Sequence, residues 1–181
     1  IEPFINKLIE KKAKIIIISH LGRPKGKIVK EMSLKPIYDY LRKNLLGNIS
    51  FYQGEINNDA VNASKNLTPG EVLLIENIRF FKGEENDDEN FAKNLSKLGD
   101  FYINEAFSCS NRPHASINKI QKFLPSFSGL QLYLEVNELN KIISEIARKI
   151  TCIIGGSKIS TNIFVIKNLI SKFDNIIIVG G

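Results

Sequence analysis

The sequence predicts an α/β fold built on a parallel sheet, and three observations carry that prediction. Short all-apolar runs recur, as at Ile15–Ile18 and Val72–Ile75, and such runs read as strands covered on both faces. Stretches with helical spacing lie between them. Each run stops at polar or glycine-bearing residues, as at Ser19-His20, Glu76-Asn77 and Gly155-Gly156. Regular strand–helix alternation of this kind implies right-handed crossovers.

The elements follow in order. Pro3 to Lys12 reads as a helix with Phe4, Leu8 and Ile9 on one face. Ile15–Ile18 is the strand around which the chain is expected to be organised, and Gly22 and Pro24 force a turn after it. Leu34 to Leu46 is an amphipathic helix carrying Leu34, Ile37, Tyr38, Leu41 and Leu45, with Gly47 as its C-cap. Ile49 to Tyr52 is a strand, Asn57 to Lys65 a weak polar helix, and Thr68-Pro69-Gly70 a turn. The Val72–Ile75 strand ends at Glu76-Asn77-Ile78-Arg79. Glu84 to Leu98 reads as one helix whose acidic first turn suits the helix dipole, the Glu84–Glu89 cluster being solvated. Phe101 to Ile103 is a fourth strand, and residues 106–129 are irregular. Leu130 to Arg148 is a helix with a stripe of Leu132, Val136, Leu139, Ile143 and Ile146, facing a core or joining two domains. A strand at Ile150–Ile154, a helix at Ser160–Ser171 and a strand at Ile176–Val179 complete the chain.

Composition narrows the function classes. The 181 residues are 43% hydrophobic and 24% charged, as in an ordinary globular protein. No apolar run approaches ~18 residues, so no membrane span is expected. Cys109 and Cys152 do not make a disulfide framework and point to a reducing compartment. Neither a basic n-region nor an apolar h-region opens the chain, which starts as though in mid-domain and closes on a double glycine where a helix should follow. The net charge of +6 is concentrated in residues 1–50, where eleven Lys and Arg meet four Asp and Glu. Such a front end fits a small phosphorylated ligand or nucleic acid. Against nucleic acid, the lysines are dispersed, with no interleaved aromatics and no helix-turn-helix or zinc spacing.

The chemistry gathers at strand ends. A parallel sheet places its ligand crevice beyond the carboxyl ends of its strands. His20 and Arg23, beside Lys25 and Lys27, follow the first strand; Arg79 follows the third; Arg112 and His114 lie beyond the fourth. Arginine forks bind carboxylate and phosphate oxygens, so a doubly anionic small molecule suits the set. The plainer alternatives are a solvated basic loop at residues 20–27 and, for Arg79, an ion pair with Glu76. Gly155-Gly156-Ser157-Lys158 sits between a strand and a helix, where backbone N–H groups and a lysine can hold a nucleotide phosphate. It is not a complete phosphate-loop pattern, and a tight turn is the competing reading. Two His and two Cys without ligand spacing make no metal site. Cys109 with His114 is a formal nucleophile–base pair, set against a loop cysteine without function.

Several long motifs then occur in one order. They are Ser19-His20-Leu21-Gly22-Arg23-Pro24, Leu73-Leu74-Ile75-Glu76-Asn77-Ile78-Arg79-Phe80, Gly83-Glu84-Glu85, Leu98-Gly99-Asp100, Asn104-Glu105-Ala106-Phe107, Arg112-Pro113-His114-Ala115-Ser116 and Gly155-Gly156-Ser157-Lys158. In these the chain resembles the phosphoglycerate kinases over essentially its whole length. The resemblance implies a three-layer, parallel-sheet, Rossmann-like N-terminal domain (residues 1–129), an interdomain helix (130–148) and the start of a second α/β domain (149–181). It implies reversible phosphoryl transfer between 1,3-bisphosphoglycerate and ADP in a monomeric cytoplasmic enzyme, with domain closure aligning the anions. His20, Arg23, Arg79 and Arg112 would hold 3-phosphoglycerate, with His114 in the same basic patch. Gly155, Gly156 and Lys158 would touch the nucleotide phosphates. Mg2+ would arrive with ATP or ADP, its ligand lying outside this chain.

Departures from the family pattern bear on activity. Asn162 stands where the family has a lysine near the transferring group, and Asn111 where it has a histidine before Arg112. The family's Asp, Asn and Arg of an earlier strand would precede Ile1. The expectation is therefore a fragment with weak or no turnover. An inert anion-binding module and a basic nucleic-acid binder remain the alternatives.

Overall fold

The computed structural model describes residues 1–144, 149–155, 167 and 173–179. It forms two compact units, Ile1–Tyr133 and Leu134–Gly181.

In the first unit, α1 (Glu2–Glu10) begins with Pro3 in its first turn, where a missing N–H costs nothing. Its buried pair is Ile5 and Ile9, one helical turn apart; of the expected face of Phe4, Leu8 and Ile9, Ile9 is buried, Leu8 packs beside it, and Ile5 was not foreseen. β1 (Ile15–Ile17), β2 (Ile49–Tyr52) and β3 (Val72–Ile75) form one parallel sheet in the order β1-β3-β2. Ile15 and Ile49 both align with Val72. The organising strand is thus β3. All four of its residues are buried, whereas Ile16 and Ile17 of β1 are half-buried. A strand paired on both sides and covered on both faces must be apolar throughout, which is what Val-Leu-Leu-Ile supplies.

Helices α2 (Lys35–Asn44) and α3 (Asn58–Lys65) lie in the crossovers. Leu34 is buried, but no residue within α2 is, and Ile37 is exposed. Tyr38 instead stacks on Phe51 of β2 at 5.4 Å. Leu45, not Gly47, caps α2. Asn57 caps α3, its side-chain oxygen accepting the N–H of Asp59 at 2.8 Å.

The expected Glu84–Leu98 helix is two pieces, α4 (Lys82–Glu85) and α5 (Glu89–Ser96). Asp87 breaks it in a left-handed conformation (φ 52°), and Asp88 caps the second piece by accepting the Phe91 N–H. β4 (Tyr102–Asn104) does not join the first sheet. It pairs in parallel with β5 (Ser126–Ser128), a polar strand inside the stretch expected to be irregular. Tyr102 nevertheless reaches the main core, packed with Leu73, Ile75, Ile78 and Leu95. α6 (Leu130–Ser144) starts under Glu105, whose carboxylate accepts the N–H groups of Gln131 and Leu132.

The second unit contains β6 (Thr151–Gly155) and β7 (Asn175–Val179), parallel and in register from Thr151 opposite Asn175. The expected Ser160–Ser171 helix lies outside the described residues, apart from Lys167, which is helical. Among the described residues, no helix is long and apolar enough to cross a membrane.

Candidate functional site

The loop after β1 is laid against the turn after β3. The Ile78 N–H donates to the Ser19 carbonyl (3.0 Å) and the Gly26 N–H to the Arg79 carbonyl (3.1 Å). Asn77 is completely buried. Its Nδ2 donates to the carbonyls of Leu21 and Met32, both at 2.8 Å, while its Oδ1 accepts the Arg79 N–H at 3.1 Å. Gly26 requires its left-handed φ of 69°, and a Cβ there would lie 3.0 Å from the Lys82 Cα.

Glu76 secures the far end of that loop. It accepts from the Leu34 N–H (2.7 Å), the Ser33 hydroxyl (2.6 Å) and the Asn77 N–H (2.8 Å). Burial alone would raise its pKa, but these donors outweigh it and hold the carboxyl below its ordinary range. Glu76 is therefore committed elsewhere, and its expected alternative role as the partner of Arg79 falls away.

Arg79 is the centre of the site. It sits in the 3-10 turn Ile78–Phe80 and is only 3% exposed. Its Nη1 donates to the Gly22 carbonyl at 2.9 Å, and its Nε lies 3.8 Å from a Glu85 oxygen. Nε and Nη2 are buried without a hydrogen-bond partner. Each such orphaned group costs about 1–3 kcal/mol, more when charged, so native proteins seldom leave them.

The third loop follows β4. Asn104 accepts the Ala106 N–H (2.8 Å) and donates to the Ser110 hydroxyl (3.1 Å). The Arg112 N–H donates to the Cys109 carbonyl (3.0 Å), and the chain turns at His114, whose carbonyl accepts from Asn118 (2.7 Å). His114 Nδ1 is 3.7 Å from Glu84 Oε1.

Electrostatics link charges from the three loops. His20 is half-buried, and burial first, then Arg79, Arg112 and His114, push its pKa below the ordinary imidazole value; Glu85 opposes them. His114 is likewise lowered, by burial, Arg79 and Arg112, against Glu85 and Asp87. Of the five expected residues, Arg79 and Arg112 thus act on both histidines, and His114 acts on His20. They come from three loops, although their strands belong to two ladders rather than the single sheet expected. Arg23 lies on the same loop as His20 but is exposed, and it is not among the charges acting most on either histidine.

Of the turn expected to bind nucleotide phosphate, Gly155 ends β6, where a Cβ would come within 3.3 Å of Val179. Gly156 and Lys158, like Asn162, lie outside the described residues. Cys109 Sγ is 3.9 Å from the Ser108 hydroxyl, and no hydrogen bond among the described residues joins it to His114. Among the described residues no group of three or more His, Cys, Asp or Glu is arranged to hold a metal ion. Sequence reasoning missed Asn77, Glu76 and Glu84 as parts of this assembly. The signal available for Asn77 was a capping residue two positions before the arginine.

The family model described as phosphoglycerate kinase matches residues 1–181. The chain belongs to the phosphoglycerate kinase family. Curated phosphoglycerate kinases from Herpetosiphon aurantiacus and Wolbachia pipientis wMel are 43% and 45% identical to it, each over 99% of this chain. Among solved structures, the phosphoglycerate kinase of Coxiella burnetii superposes over 99% of this chain with a TM-score of 0.83 at 34% identity. That of Pyrococcus horikoshii OT3 gives 0.85 over 98% at 25% identity. The chain spans about 45% of the length of these relatives, so the part of a phosphoglycerate kinase it matches is under half.

Proposed function

We propose that this chain supplies the phosphoglycerate-binding half of a phosphoglycerate kinase. The reaction is reversible phosphoryl transfer between 1,3-bisphosphoglycerate and ADP, giving 3-phosphoglycerate and ATP. The observation that carries the reading is the buried Arg79 guanidinium, two of whose nitrogens make no hydrogen bond, its charge and that of Arg112 both acting on His20 and His114. A dry cation with free donors is matched by an anion that brings its own oxygens.

In this reading His20, Arg23, Arg79 and Arg112 hold 3-phosphoglycerate, and His114 adds to the patch. Neutral histidines beside arginines can gain protons when the ligand's negative charge arrives. The chain's work is to orient and neutralise anions, since phosphoryl transfer demands alignment more than covalent help. Gly155, Gly156 and Lys158 are assigned to the nucleotide phosphates. Mg2+ accompanies the nucleotide and supplies charge neutralisation; nothing among the described residues fits it, and no step here passes through it. The domains assigned are residues 1–129 for phosphoglycerate, 130–148 as the connecting helix and 149–181 towards the nucleotide, in a monomeric cytoplasmic protein.

Calorimetric titration of the 181-residue chain with 3-phosphoglycerate tests the reading. Saturable binding that is lost in Arg79→Ala supports it. No heat with the intact chain, or equal binding by the variant, refutes it.

A further inference from the structure

Glu84 is 2% exposed, a carboxylate in the interior where the sequence predicts a solvated helix start. Its Oε1 accepts the Ser116 hydroxyl at 2.6 Å and its Oε2 the Ser116 N–H at 3.0 Å. Its backbone carbonyl accepts the Ala115 N–H at 2.9 Å, and its own N–H donates to the Phe81 carbonyl at 3.1 Å. One residue therefore ties the loop after β4 to the turn that carries Arg79. The next residue, Glu85, places an oxygen 3.8 Å from Arg79 Nε. α4 thus holds the His114–Ser116 segment through Glu84 and meets the guanidinium through Glu85.

A buried carboxylate is a poor choice for simple packing, because desolvation disfavours its charged form. That penalty is visible: burial comes first among the influences on Glu84 and raises its pKa, although both Ser116 donors and Arg79 oppose it. An apolar side chain would fill the space without it. What an apolar residue cannot do is fix the rotation and distance of the Arg112–Ser116 segment by two directional bonds.

We propose that Glu84 is a positioning residue, clamping the Arg112–Ser116 segment so that Arg112 and His114 share one anion with Arg79. The proposal rests on the phosphoglycerate reading above. Glu84 touches no substrate in it; it acts through Ser116 and through its oxygen 3.7 Å from His114 Nδ1.

The test uses the 181-residue chain with Glu84→Ala, Glu84→Gln and Ser116→Ala. Binding of 3-phosphoglycerate is followed by calorimetry, and the His114 and His20 imidazole signals of the ligand-free chain by NMR. Glu84→Ala and Ser116→Ala are expected to move the His114 signals, leave those of His20 in place, and weaken binding about tenfold through misplacement of the cations. Glu84→Gln keeps an acceptor for the Ser116 N–H and a polar partner for its hydroxyl, so it should bind within about threefold of the parent. Unchanged binding in both alanine variants overturns the proposal, whatever the histidine signals do. A glutamine variant as weak as the alanine variant also overturns it, because charge rather than the tether would then be responsible. If Glu84→Ala does not fold, Ser116→Ala carries the same comparison. Should the parent chain take up no 3-phosphoglycerate, the functional reading fails. The His114 signals then decide the clamp: a shift in Ser116→Ala supports it and an unmoved signal refutes it.

Discussion

Arg79 Nη1 donates to the backbone carbonyl of Gly22 at 2.9 Å, joining residues 57 positions apart. The bond uses one arm of the guanidinium and leaves Nε and Nη2 buried without a hydrogen bond, Nε facing Glu85 at 3.8 Å. The site is therefore held ready at a cost to the empty protein.

That cost gives the first prediction. Arg79→Met should abolish 3-phosphoglycerate binding yet leave the ligand-free chain no less stable than the parent, because losing the buried charge and its unbonded donors offsets losing the bond to Gly22 and the ion pair with Glu85. Thermal denaturation in the absence of anions checks it. A variant that melts below the parent contradicts it. Arg79→Lys should keep the charge but lose the fork, leaving binding intermediate between parent and alanine variant.

The second concerns protons. His20 and His114 have folded pKa values below the unfolded value of about 6.5. Between those values the unfolded chain holds more protons than the folded one, so stability falls as pH drops from about 6.5 through the folded values. Urea unfolding at pH 7.5 and 5.5 should show this loss, and His20→Asn with His114→Asn should shrink it. An anion that displaces the effect of Arg79 should draw protons in. Calorimetry near pH 6.5 in two buffers of different ionisation enthalpy should then give different apparent heats. Identical heats count against an anion at this patch.

The third concerns the loop between β1 and α2. Asn77→Ala would orphan the carbonyls of Leu21 and Met32 and release the Arg79 N–H. A destabilisation of roughly 2–4 kcal/mol is expected. Chemical unfolding measures it, and a change below about 1 kcal/mol would show that the loop does not depend on this residue.

The fourth is steric. Gly26→Ala meets both a left-handed φ and the Lys82 backbone. A loss of at least roughly 1–2 kcal/mol is expected from the backbone conformation alone. Gly99→Ala, whose Cβ would have nothing nearer than 3.9 Å, serves as the control and should melt close to the parent.

How much of this the sequence disclosed depended on what held each element. The strands of the first sheet were legible because burial on both faces demands unbroken apolar runs, and Val72–Ile75 shows this in full. β5 was not legible, since Ser126-Phe127-Ser128 is exposed and its place is set by pairing with β4. The acidic run after Gly83 misled for a related reason. Helical spacing continues through it, but Asp87 adopts a positive φ and Glu84 turns inward to Ser116, a partner 32 residues away. Arg79 could be found by counting cations at strand ends; that it is buried could not, because burial is fixed by loops whose folding depends on Asn77 and Glu76.

The strand order has a consequence for synthesis. The middle ribbon of the three is the last of them to be made, so Ile15–Ile17 and Ile49–Tyr52 leave the ribosome before the strand that each bonds in this sheet. Neither flank can lock into this sheet until Val72–Ile75 arrives between them, and the loop after Ile15–Ile17, which bonds to the turn beyond that ribbon, must organise later still. A nascent chain halted before Val72 should consequently be the form most exposed to chaperones and proteases.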